Sequence, residues 1–184
     1  MLKKILLGIG VVFILFVLWS LYGLFIAKPA SPKATATYSD LGVDITVNYS
    51  QPYKKDRLIF GKEDDGALQP FGKYWRLGAN AATEISLSTD VYFGGKALDA
   101  GTYRMYAVPG SDAFQITVNS ELDIFFGVAE PDPELDILTV EAPVWKQETV
   151  TEQFVIQFRS DSSSIMMDFI WDDFLFNVPI QPRN

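Results

Sequence analysis

The chain has 184 residues, 48% of them hydrophobic and 14% aromatic, which suits one domain with a substantial core plus an accessory segment. It holds no cysteine and no histidine. That excludes disulfides, thiolate metal sites, a cysteine nucleophile and lipid attachment through an N-terminal cysteine, and removes the commonest general base and transition-metal ligand. A net charge of −8 argues against a large face that binds nucleic acid phosphates.

The N-terminus carries the clearest signal. Lys3 and Lys4 precede an uncharged run from Ile5 to Ala27, which as a helix reaches roughly 34 Å, enough for a bilayer core. A cleaved signal peptide, the alternative, has a shorter apolar region of about 7–15 residues and a small-x-small cleavage site. The tail here reads FIAKPASP, without a clean pair of small residues at that spacing. The expectation is therefore an uncleaved signal anchor in the cell membrane, with Trp19 and Tyr22 near its outer end, where amphipathic rings favour the headgroup zone. Residues 1–4 form a cytoplasmic tail, 5–27 the transmembrane helix, 28–36 a linker stiffened by Pro29 and Pro32, and 37–184 an extracytoplasmic, periplasmic domain. Beyond residue 28 there remain 12 basic and 23 acidic residues, a net of −11.

The rest of the chain reads as strands. Val43, Ile45, Val47 and Tyr49 alternate with polar residues, the period of a half-buried strand ended by Pro52. Arg57 to Phe60 continues briefly before the polar turn GKEDDG. Thr83 to Ser88 alternates again, and Val91 and Phe93 lead into Gly94-Gly95, a pair suited to a tight hairpin. Gly101 and then Pro109 to Asp112 mark two further turns, around Thr102 to Val108 and before Phe114, Ile116 and Val118. These three signals predict a meander. Ile137–Val140, Phe154–Phe158, Ile165–Trp171 and Phe174–Ile180 complete about ten strands. No amphipathic helix follows the anchor. The fold class predicted is all-β, an antiparallel, jelly-roll-like sandwich, with a closed barrel as the alternative.

The regular pattern breaks between Phe71 and Glu84, FGKYWRLGANAATE. Two aromatics, Tyr74 and Trp75, stand with Lys73, Arg76, Asn80 and Glu84 around small residues that permit tight turns. Lys73, Trp75, Arg76, Asn80 and Glu84 are the candidate ligand-binding residues. Trp75 and Arg76 suit either a ligand platform or a core plug with its ion pair, and the plug is the ordinary role of a large aromatic. Asn80 suits a turn, and Glu84 either a latch or a catalytic carboxylate. An Arg76–Glu84 latch closing the Gly78-to-Ala82 turn is expected. Acidic residues alternate through AEPDPELD, but two prolines and the lack of a bend glycine fit a solvated linker better than a calcium loop. No phosphate cradle, serine elbow or metal-binding helix motif is present, and neither a metal nor a cofactor is expected.

Ser31-Pro32, Tyr49 through Pro52, Arg57, Trp75-Arg76, Gly78-Ala79-Asn80, Thr83-Glu84-Ile85 and Ala100 through Tyr103 together resemble the bacterial family known as domain of unknown function 2911. The resemblance is strongest over residues 31–120. Gln51 stands where that family's pattern leads one to expect arginine, and the turn GKEDDGALQP is longer than its counterpart. The resemblance implies an exported bacterial domain and supplies no activity. Three readings follow. One is a membrane-anchored module binding a glycan, peptide or small molecule at the Trp75–Glu84 loop. Another is an assembly module contacting an envelope protein. The third is a carboxylate-based hydrolase, the weakest reading because no catalytic motif supports it. The partners expected are the membrane, through residues 5–27, and such a ligand or envelope protein; nucleic acid is not among them.

Overall fold

The computed structural model describes residues 2–25, 30–122, 129–160 and 164–183. They belong to two compact units, Met1–Ala30 and Ser31–Asn184. The first is helix α1, Leu2–Phe25, apolar on every side apart from its basic start. Among the described residues no helix is long and apolar enough to cross a membrane. Beyond the two lysines, the α1 side chains that are described cover only 8–22. The end of the expected anchor and the start of the expected linker, residues 26–29, lie outside the described residues.

The second unit is almost wholly β. Its strands are β1 (Lys33–Asp40), β2 (Val43–Ser50), β3 (Phe60–Gly61), β4 (Gln69–Pro70), β5 (Thr83–Leu87) and β6 (Val91–Phe93), followed by β7 (Lys96–Leu98), β8 (Gly101–Val108), β9 (Ala113–Asn119), β10 (Asp136–Ser160) and β11 (Ile165–Pro182). Nine of them form one antiparallel sheet in the order β1-β2-β5-β8-β9-β10-β11-β6-β7, while β3 and β4 make a small parallel pair. The closed barrel weighed as the alternative is not formed: no ladder among the described residues joins the outer strands β1 and β7.

Two strands are longer than their hydrophobic pattern suggests. Residues 137–140 and 154–158 read as separate strands, yet β10 runs through both. It pairs with β9 over Asp136–Pro143 and with β11 from Val144 onward. Register shifts between Lys146, Thr151 and Val155 absorb the polar stretch between them, as bulges do. In β11, Asp172 takes a left-handed φ of 58° at the Asp172-Asp173 break, and pairing continues on either side. Strand β1 begins at Lys33, inside the residues read from sequence as linker. Its inward members are only Ala34, Ala36 and Tyr38, too small on average to give a hydrophobic signal.

The expected meander is interrupted. Gly94 and Gly95, with φ of 56° and 80°, do turn β6 into β7, and β8 turns into β9 through Pro109–Asp112. But the β6–β7 hairpin leaves to pair with β11, so β5 and β8 become direct neighbours. The chain therefore crosses over at Gly101 instead of forming a third hairpin.

An aromatic core gathers rings from β3, β9, β10 and β11 around Trp75. The Phe60 ring sits 5.3 Å from Trp75, 5.0 Å from Phe114 and 4.8 Å from Phe174, and Trp75 stacks on Trp171 at 5.9 Å. Phe114 and Phe169 stack on Phe176 at 4.2 and 5.0 Å. Such offset and edge-on pairs add about 0.5–1.5 kcal/mol each beyond their burial. Where β2 runs past β10 without a ladder, side chains replace one. The Tyr49 hydroxyl accepts from the Ile156 N–H at 3.0 Å, and the Gln51 amide donates to the Phe154 carbonyl at 3.2 Å. Gln51, at the position where the resemblance leads one to expect arginine, is thus part of a seam.

Candidate functional site

The stretch from Phe71 to Glu84 is built around a single docking point. Gly72, with a left-handed φ of 77°, turns the chain and donates to the Pro109 carbonyl at 2.8 Å. Trp75 and Ala107 of β8 then exchange backbone hydrogen bonds of 2.8 and 2.7 Å. Successive residues of an extended chain face opposite ways. Trp75 therefore points into the core, 2% exposed, and Tyr74 lies outward beside Tyr106. The Trp75 indole N–H donates to the Gly78 carbonyl at 3.2 Å, closing the turn from within. Of its two sequence readings, Trp75 is the core plug, and its ring presents no face to solvent.

The turn that follows is held by small polar contacts. Buried Leu77 adopts a left-handed φ of 52°, an unusual state for a branched residue, and its carbonyl accepts from the Thr83 hydroxyl at 2.6 Å. Gly78 has φ 151°, and a Cβ there would lie 2.8 Å from the Ser50 carbonyl oxygen, so only glycine fits. Arg76 is half-buried and donates to the Asn80 carbonyl at 3.1 Å, while the exposed Asn80 amide donates to the Ser31 carbonyl at 3.4 Å. The expected Arg76–Glu84 latch is not formed: among the described residues no ion pair joins them. Arg76 is committed to the loop backbone, and Glu84 already belongs to β5. Lys73 is exposed and pairs with Glu63 at 3.3 Å.

Glu84 faces a different set of partners. In the sheet register Thr35 lies opposite Asn48, Asn48 opposite Glu84, Glu84 opposite Arg104, Arg104 opposite Asn119 and Asn119 opposite Asp136. Directly opposed residues share a face. A polar row therefore crosses six strands on the side away from the aromatic core. Its members bond one another where they can, Thr35 to Asn48 and Asn119 to Asp136, each at 2.8 Å.

The first end of this row opens into a cleft of about 310 Å³. Lys33 and Thr35 of β1, Asn48 and Ser50 of β2, and Ala82 and Glu84 line it. Among the described residues neither Lys33 nor Glu84 has an ion-pair partner, so the cleft carries one uncommitted charge of each sign. The middle of the row is closed. Arg104 is 1% exposed; its guanidinium donates to Glu121 at 2.9 Å, to the Tyr74 hydroxyl at 2.8 Å and to the Ala129 carbonyl at 2.9 Å. Tyr106 donates to Asp136 at 2.8 Å, and burial, then that carboxylate, pushes its phenol up to about 12. It stays a neutral donor at physiological pH, which removes it as a tyrosinate nucleophile.

A second cleft, of about 330 Å³, lies outside that closed centre, lined by Lys73, Tyr74, Tyr106, Glu130, Pro131 and Pro133 among others. The acidic run is largely structural here: Asp132 caps the short 3-10 turn Pro133–Leu135, and Asp136 serves Asn119 and Tyr106. Among the described residues no group of three or more acidic side chains is placed to hold a metal ion. The five sequence candidates are thus dispersed: Glu84 in one cleft, Lys73 in the other, Trp75 in the core, Arg76 and Asn80 in the turn between. Lys33, Thr35, Asn48, Arg104 and Tyr106 escaped sequence reasoning, because only the register brings them together.

A family model described as "Protein of unknown function (DUF2911)" matches residues 31–180. No curated protein and no solved structure matches the chain.

Proposed function

The chain belongs to the DUF2911 family, and from that premise we propose that it is a membrane-anchored, extracytoplasmic binding module for a small zwitterionic ligand of the amino acid or short-peptide class. The observation that carries this reading is the cleft beside Glu84, which holds the uncommitted charges of Lys33 and Glu84 among the donors and acceptors of Thr35, Asn48 and Ser50. A ligand with an ammonium and a carboxylate satisfies both charges at once, and a few placed polar groups in a concave site give orientation. The folded-over sheet acts as a sandwich whose rigid core fixes the cleft walls. Titration calorimetry of the full chain with alanylalanine tests the reading. Binding is expected, and Glu84→Gln and Lys33→Gln should each weaken it about tenfold, the loss of one charge-assisted contact. Unchanged affinity in both variants would refute the site.

The anchor reading rests on the uncharged sequence run from Ile5 to Ala27, with the short basic tail on the cytoplasmic side. The full chain is expected to stay in the membrane pellet through an alkaline carbonate wash. Release into the supernatant would show a peripheral or processed protein.

A further inference from the structure

We propose that the second cleft, beside Tyr74 and Tyr106, is a separate saccharide-binding subsite. Nothing in the reading of the first cleft is needed for it.

The two rings form a prepared surface. Their centroids are 5.5 Å apart and tilted by 51°, so they stand together as one wall instead of facing each other as a cage for a cation. Both hydroxyls are tied down behind that wall: Tyr74 accepts from buried Arg104, and Tyr106 donates to Asp136. Trp75, bridged to Ala107, fixes the backbone on which Tyr74 sits. Rings anchored in this way lose little freedom on binding, and both belong to the lining of the cleft. Pro131 and Pro133 extend the apolar lining.

A sugar ring presents an apolar C–H face together with hydroxyls that both donate and accept. The cleft supplies a partner for each. The aromatic wall takes the C–H face, exposed Glu130 accepts from hydroxyls, and Lys73 donates to them. The Lys73–Glu63 pair does not block this. Its side chains are 58% and 67% exposed, so the pair is weak and readily exchanged. A volume of about 330 Å³ lies at the small end of ligand sites, the scale of one or two sugar rings. It is short for a proline-rich peptide, which advances about 3.1 Å per residue and needs an extended groove.

The test is saturation-transfer NMR on the full chain in micelles of a detergent without a sugar headgroup, with cellobiose and N,N′-diacetylchitobiose as probes. At least one should show saturable transfer with a Kd of about 1 mM, the affinity of a few stacked contacts. Tyr74→Ala should weaken it at least about tenfold, whereas Tyr74→Phe, which keeps the ring, should stay within about threefold. Should Tyr74→Ala fail to fold, the surface change Glu130→Gln decides, with an expected loss of about threefold. Glu84→Gln, in the other cleft, should change nothing. The proposal is overturned if neither disaccharide shows transfer, if the response survives both Tyr74→Ala and Glu130→Gln, or if tetraproline binds there and the sugars do not.

Discussion

Trp75→Ala is expected to remove about 3–5 kcal/mol of stability, the range for deleting a large buried aromatic. The indole touches Phe60, Phe114, Phe154, Trp171 and Phe176, drawn from β3, β9, β10 and β11, so the cavity opens where side chains of four strands meet. The mutation also frees the buried Gly78 carbonyl from its donor, in a turn already holding Leu77 in a left-handed state. For a domain that is stable by only about 5–15 kcal/mol, such a loss leaves little margin. Denaturant melts should show the midpoint falling steeply, and Trp75→Phe, which keeps an aromatic but loses the N–H, should fall between. A Trp75→Ala protein as stable as wild type would mean that the indole does not organise the core.

Arg104→Met is the second large effect. Removing one partner of a buried pair typically costs about 3–5 kcal/mol, and Glu121, whose side chain is 28% exposed, recovers part of that through water. A loss of about 2–4 kcal/mol is therefore expected, since the Tyr74 hydroxyl and Ala129 carbonyl also lose their donor. The double change Arg104→Met with Glu121→Gln should recover part of the loss, because it removes the stranded carboxylate. Arg104→Lys should not rescue fully: a point charge cannot reproduce a planar fork that meets three acceptors. A melt of Arg104→Met indistinguishable from wild type would show that the network contributes nothing to stability.

Local pattern explains what could be read from sequence. Val43 to Tyr49 alternates cleanly because one face is core and the other is not, and it became a strand with that pattern of burial, whereas Phe114 to Val118 became a strand in which Thr117, on the opposite face, is buried as well. Gly94-Gly95 became a hairpin because its φ values demand glycine. Strand β1 stayed hidden, since alanine and threonine scarcely differ in hydrophobicity. So did the continuity of β10, where Lys146 to Gln153 is polar but keeps its backbone paired through bulges. The crossover at Gly101 was illegible for another reason: a turn residue does not reveal which strand the next one joins. The placement of the candidate residues was illegible for the same cause. Trp75, Arg76, Asn80 and Glu84 are close in sequence, yet alternation and one bridge to Ala107 send them to different places. Conversely, Lys33, Asn48 and Glu84 are far apart in sequence and meet only through the β1–β2–β5 register.

The claim that the cleft beside Glu84 is the binding site is tested most directly by mapping a ligand onto the backbone. Amide chemical shifts of the full chain, labelled with nitrogen-15 in micelles, would be followed while alanylalanine is added to saturation. The account predicts shifts clustered at Lys33 to Thr35, Asn48 to Ser50 and Ala81 to Glu84, the residues that line that cleft. Shifts confined to other surfaces, or none at saturating dipeptide, would contradict it.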